Sequence, residues 1–206
     1  KPFQIDEVLA RVEAQLDAHD RIREMQEKVE QLNEQLDARN EEDDDVPRAE
    51  RVRALIESGE TETCEFKSTI RRNLKSGKND KAMEKAWLKT IVALLNSEGG
   101  TLLIGVDDGG GILGLDVDQF SNDDHAQLHV NNLIRNHIGP EYAQFIRIGI
   151  CELDEKSVLT FTCSRSGPPS FLKLDDAEDV YIRMGPGSRK LTTREAMEYF
   201  EARESK

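Results

Sequence analysis

Between residues 66 and 90, the cations Lys67, Arg71, Arg72, Lys75, Lys78, Lys81, Lys85 and Lys89 face only two acids, Asp80 and Glu84. Such a cluster suits contacts with phosphate oxygens, which give affinity without reading base sequence. The same residues also suit a solvated loop and helix face. A second cationic group, Arg183, Arg189 and Lys190, surrounds Gly185-Pro186-Gly187, where backbone N–H groups offer a further anion contact. Aromatic residues make up only 5% of the chain, too few to suggest a platform that stacks single-stranded bases. Shape or backbone recognition of duplex-like nucleic acid fits better. Asp107-Asp108 follow the apolar run Thr101–Val106 directly. Either they start a turn, where aspartate is common, or they place a carboxylate where chemistry happens. His125 and His129, four apart, offer half a zinc site, but no third ligand is apparent and both read as surface residues.

These residues belong to a chain of 206 residues with a net charge of −13. That charge argues against nucleic acid only on average, because it is unevenly spread. Residues 1–50 hold 7 Lys/Arg against 16 Asp/Glu, and the remainder hold 21 against 25. A local basic patch decides whether a phosphate backbone docks. No apolar run approaches the roughly 20 residues of a membrane span. Cys64, Cys151 and Cys163 form no C-x-x-C pair, and free thiols fit a reducing, cytoplasmic setting. The chain opens Lys1-Pro2-Phe3, with neither a leader pattern nor a Met, as expected of a piece of a longer protein.

Residues 1–40 read as a coiled-coil oligomerisation helix. Ile22, Met25, Val29, Leu32 and Leu36 alternate at spacings of 3 and 4, a heptad seam that needs a partner helix. Ile5, Leu9, Val12, Leu16 and His19 continue it in a shifted frame, so the expected partner over 5–39 is a second copy of the chain. Packing on an upstream part of the protein is the alternative. The acidic block within 41–47 reads as a linker. Residues 48–206 read as one α+β domain, a mixed β-sheet with packed helices. Helices are expected over Arg48–Ser58, Lys81–Asn96, Asp124–His137 and from Thr192 or Thr193 to about Ala202, the last with a Thr192–Glu195 capping box. Strands are expected at Thr61–Lys67, Thr101–Val106, Ile112–Leu115, Gln144–Leu153, Ser157–Ser164 and Val180–Met184, with a loop at Asn73–Asp80.

Three motifs in this order, "GETETCEFK" (59–67), "IVALLNSEGGTLLIGVDDGGGILGL" (91–115) and "VYIRMGPGSRKLTTREAMEYF" (180–200), resemble the Schlafen AlbA_2 domain. The resemblance covers about residues 50–203 and implies a nucleic-acid-binding module. In the animal Schlafen proteins that cleave tRNA and rRNA, three acids bind a divalent metal. The positions that match here are Glu60, Glu65 and Asp107, so the resemblance also implies a possible endoribonuclease using Mg²⁺ or Mn²⁺. Such hard cations take carboxylate oxygens and keep waters. Lys67, on the same strand face as Glu65, would steady a phosphate. The nucleic-acid contacts expected are Lys67, Arg71, Arg72, Lys75, Lys78, Arg183, Arg189 and Lys190. Asp108 is left to the turn. Two other readings stand beside the nuclease. One is a non-catalytic DNA- or RNA-binding regulatory module, oligomerised by its coiled coil, whose acids are structural. The other is a protein-interaction scaffold.

Overall fold

A computed structural model describes residues 48–174 and 177–204, all within the unit Arg48–Lys206. The expected coiled coil over 5–39 and the acidic linker over 41–47 lie outside the described residues. The fold is α+β, as the sequence indicates.

At its centre is a four-stranded mixed sheet in the order β1 (Cys64–Lys67), β4 (Gly100–Ile104), β6 (Lys156–Cys163), β5 (Ile146–Leu153). β1 runs parallel to β4, while β4–β6 and β6–β5 are antiparallel. A parallel pair needs a long crossover, and α2 (Lys81–Asn96) lies within it. Side-chain alternation along β4 divides the core. Leu102 and Ile104 join the cluster beneath α2, with Trp87, Ile91 and Phe161. Leu103 joins the opposite cluster, with Cys64, Phe66 and Val52 of α1 (Arg48–Ser58). Trp87 anchors the first cluster by stacking on Phe161 and donating its indole N–H to the Ile70 carbonyl at 3.0 Å.

Gly99 and Gly100 make the turn from α2 into β4, and no other residue fits there. Their φ values are +82° and +142°, and a side chain on either would run into the backbone of Cys163 or Thr63. The β5–β6 hairpin closes through Asp154 and Glu155, both at positive φ, as a two-residue turn requires.

A second, antiparallel sheet joins β7 (Leu172–Leu174), β8 (Ala177–Met184) and β9 (Gly187–Leu191). The sequence reading anticipated only β8 of these. It placed Gly185-Pro186-Gly187 as a phosphate-facing loop, whereas Gly185 and Pro186 form the β8–β9 turn. α3 (Asp123–His137) and α4 (Thr193–Glu204) occupy the expected places, and α4 carries the capping box. Thr192 N–H donates to Glu195 at 2.8 Å, and Glu195 N–H donates to Thr192 Oγ1. The expected strand Ile112–Leu115 is reduced to a single bridge, Val106 to Ile112, followed by a 3-10 turn at Leu115–Asp118. The expected loop 73–80 is a small hairpin of β2 (Arg72–Asn73) and β3 (Lys78–Asn79). No described helix is long and apolar enough to cross a membrane.

Candidate nucleic-acid interface

Glu65 and Lys67 share one face of β1, and their side chains meet at 2.6 Å. The other Glu65 oxygen takes Arg183 Nη1, also at 2.6 Å, from β8. Arg183 is 4% exposed, and all five of its guanidinium N–H groups have acceptors. Nε donates to the Glu62 carbonyl at 2.9 Å. Nη1 also reaches Ser188 Oγ, and Nη2 donates to the Thr61 and Pro186 carbonyls at 2.8 and 2.9 Å. A guanidinium satisfied this way has no donor left for a phosphate. Arg183, expected among the ligand contacts, is therefore a strut that ties the second sheet to β1.

The other two acids serve the backbone. Glu60 Oε1 accepts the Phe66 N–H at 2.9 Å. Asp107 Oδ1 accepts the N–H groups of Gly109 and Gly111 at 2.9 and 2.8 Å, inside a turn closed by Asp107 N–H to the Gly111 carbonyl. Turn chemistry thus falls to Asp107, and its neighbour Asp108 is exposed. Gly111 is packed so tightly that a side chain there would meet the Asp107 carboxylate. Gly105, at the end of the same run, lies against the Gly114 backbone rather than a ligand.

A hard divalent cation needs several carboxylate oxygens gathered at one point. Among the described residues no three His, Cys, Asp or Glu side chains form such a group. Glu60, Glu65 and Asp107 each have another task, so the donor set in this arrangement does not fit Mg²⁺ or Mn²⁺. Cys64 reports the local electrostatics. Its thiol is pushed up to about 11, first by burial and then by Glu60 and Glu65, against the pull of Arg183.

The remaining expected contacts separate into committed and uncommitted cations. Arg71 donates to the Asp118 and Gln119 carbonyls at 3.2 and 3.0 Å and lies 3.7 Å over the Phe120 ring. Arg189 pairs with Glu195. Lys190 pairs with Asp179 at 2.6 Å, and this contact holds the Asp179 carboxyl below its usual range. Arg72, Lys75 and Lys78 make no side-chain hydrogen bond or ion pair among the described residues. The same holds for Lys81, Lys85 and Lys89, which recur every fourth residue along α2 and so form one stripe.

The uncommitted cations sit on a braced support. Asp118, fully buried, accepts the N–H groups of Ile70, Arg71 and Arg72 at 2.7, 2.8 and 3.0 Å. Asp80 caps α2 through the Ala82 N–H and accepts from Asn73 Nδ2. These two bonds, the backbone one first, hold its carboxyl below the ordinary carboxylate range. Sequence reasoning missed Asp118. Its partners lie 46 to 48 residues earlier, and nothing local to Leu115–Asp118 marks it. His129 Nε2 meets Glu84 Oε1 at 2.8 Å, and His125 Nδ1 meets Ser121 Oγ.

Residues 60–192, well over half of the chain, match the family described as Schlafen, AlbA_2. No curated protein matches the chain. Among solved structures, the DIP2311 protein from Corynebacterium diphtheriae is similar over 68% of this chain, with a TM-score of 0.49 and 17% identity. The chain spans 24% of that protein's length.

Proposed function

The chain belongs to the Schlafen AlbA_2 family, and on that premise we propose that it binds the backbone of duplex-like nucleic acid without cleaving it. The binding surface in this reading is the β2–β3 hairpin together with the lysine stripe of α2. One observation carries the reading. The cations of this surface make no side-chain hydrogen bond or ion pair among the described residues, Lys85 alone acting at a distance on Asp179, whereas the three acids that would hold a metal are committed to the fold. Arg72, Lys75, Lys78, Lys81, Lys85 and Lys89 supply up to six phosphate contacts. The net charge of −13 opposes each of them at long range. A single copy therefore binds weakly. The heptad seam over 5–39 would join copies, and linkage of this kind raises avidity by about 10²–10⁴-fold without a new contact.

The test is fluorescence anisotropy with short duplex DNA, duplex RNA and tRNA across a salt series. Each lysine-to-alanine change at 75, 78, 81 or 85 should lower the slope of log K against log salt by about 1. Arg189→Ala, whose cation is already paired, should leave that slope unchanged. Absence of binding at low salt refutes the reading. Cleavage of tRNA by the wild type with Mn²⁺ or Mg²⁺, lost in Asp107→Asn, would replace it with the nuclease.

A further inference from the structure

The β2–β3 hairpin carries one residue that its cations do not account for. Leu74, at the tip, is 52% exposed, although burying a leucine is worth about 1.5–3 kcal/mol. A single exposed leucine means nothing by itself. Leu74 differs from the exposed Leu128, Met184 and Met197 in its setting, at the tip of a hydrogen-bonded turn between cations that make no side-chain hydrogen bond or ion pair among the described residues.

Asn73 Oδ1 accepts the N–H groups of both Lys75 and Ser76, at 3.0 and 3.2 Å. Gly77, at φ +67°, returns its N–H to the Asn73 carbonyl at 2.8 Å. Ser76 Oγ accepts the Lys78 N–H at 3.4 Å. At the base, Asp80 N–H bonds the Arg71 carbonyl at 2.8 Å, and buried Asp118 fixes the entering strand. The tip is therefore preorganised at both ends. Its apolar side chain is flanked in sequence by the unpaired cations Arg72, Lys75 and Lys78.

We propose that Leu74 is a wedge: the hairpin tip enters the minor groove of a duplex and sets Leu74 against sugar faces and base edges. The flanking cations then meet the phosphates of the groove walls. This inference rests on the nucleic-acid reading above and deepens it. The chemistry supports a groove over an outer backbone contact. A phosphate ridge offers Leu74 nothing, whereas the groove floor is uncharged and apolar wedges there partly unstack a base step. The B-form groove is about 6 Å wide and the A-form groove is wide and shallow, so duplex DNA and duplex RNA are both tested. An anionic membrane would use the same cations, and vesicles form a third arm.

Two variants of the full chain test the wedge. Leu74→Ala should bind duplex about tenfold more weakly, the loss of one buried leucine, with an unchanged salt slope because no phosphate contact is removed. Leu74→Trp adds an exposed indole to the buried Trp87, so its emission should be quenched when duplex saturates the protein. If Leu74→Ala binds like wild type and the Leu74→Trp emission stays constant at saturation, the wedge is wrong and the backbone reading survives. If the wild type binds no duplex, both fail. If it binds phosphatidylserine vesicles but no duplex, the hairpin is a membrane contact and both fail again.

Discussion

Replacing Arg183 with alanine should destabilise the domain and leave the charge of the binding surface intact. The substitution removes five hydrogen bonds at once. It leaves one Glu65 oxygen and the carbonyls of Thr61, Glu62 and Pro186 without their donor. Breaking one side of a buried ion pair costs about 3–5 kcal/mol. Here the lower end applies, because Lys67 stays on the other Glu65 oxygen and the Glu65 side chain is 12% exposed. A loss of about 3 kcal/mol in a domain of this size lowers Tm by roughly 6–12 °C. Calorimetry and urea unfolding measure this directly. The double variant Arg183→Met with Glu65→Leu should lose less than the sum of the single changes, because it removes both charges together. An unchanged Tm with weakened duplex binding would refute this account and make Arg183 a ligand contact.

Other expectations concern the acids and thiols. Asp107→Asn keeps the acceptor for Gly109 and Gly111 and should leave stability nearly unchanged, whereas Asp107→Ala should cost roughly 1–2 kcal/mol by urea unfolding. Asp80, Asp179 and Glu195 have carboxyls held below their ordinary values, chiefly by the Ala82 N–H, Lys190 and the Thr192 N–H respectively. The unfolded chain then binds more protons. The stabilisation they give is complete above the unfolded carboxylate range and is lost as pH falls through the folded values, so Tm should drop between about pH 5 and pH 3. Asp179→Asn should shrink that drop. Burial pushes Cys163 up to about 12 and Cys64 up to about 11, the latter leaving roughly one thiolate in a thousand at pH 8. Both should resist thiol reagents until urea unfolds the domain; rapid labelling of the native protein would contradict that.

Much of the central sheet was legible in the sequence. α2 announces itself by helical periodicity, and β4 by an unbroken apolar run between glycines, as a strand buried on both faces must. β9 was illegible because its residues, Gly187–Leu191, are mostly polar and exposed. Its pairing with β8 is made by backbone bonds that a polar run does not advertise. The β2–β3 hairpin was illegible for the same reason. In the candidate site, the pairing of Glu65 with Lys67 follows from strand alternation. Arg183 misled because a cation beside a glycine-proline turn looks solvated. The available clue was its place within "VYIRM", a strand of otherwise large apolar residues, where a charge has to find a partner inside. Asp118 could not be separated from an ordinary turn aspartate, since what distinguishes it is the distant backbone it meets. Of Asp107 and Asp108, equally good turn formers by type, only the Gly109 and Gly111 N–H groups assign the turn to Asp107.

The Arg183–Glu65 pair spans 118 positions of chain. β1, at the edge of the central sheet, pairs with β4 and is tied to the second sheet by a residue made long after it. Contacts of this separation are slow to form, because a long loop must close before they contribute. At physiological elongation rates of about 5–20 residues per second, β1 waits several seconds for its clasp. Throughout that interval the Glu65 carboxylate and the Thr61 and Glu62 carbonyls lack the donor that later buries them. The bond that ties β1 to the second sheet therefore cannot form until β8 has been made, although β1 is the first strand of the domain to emerge.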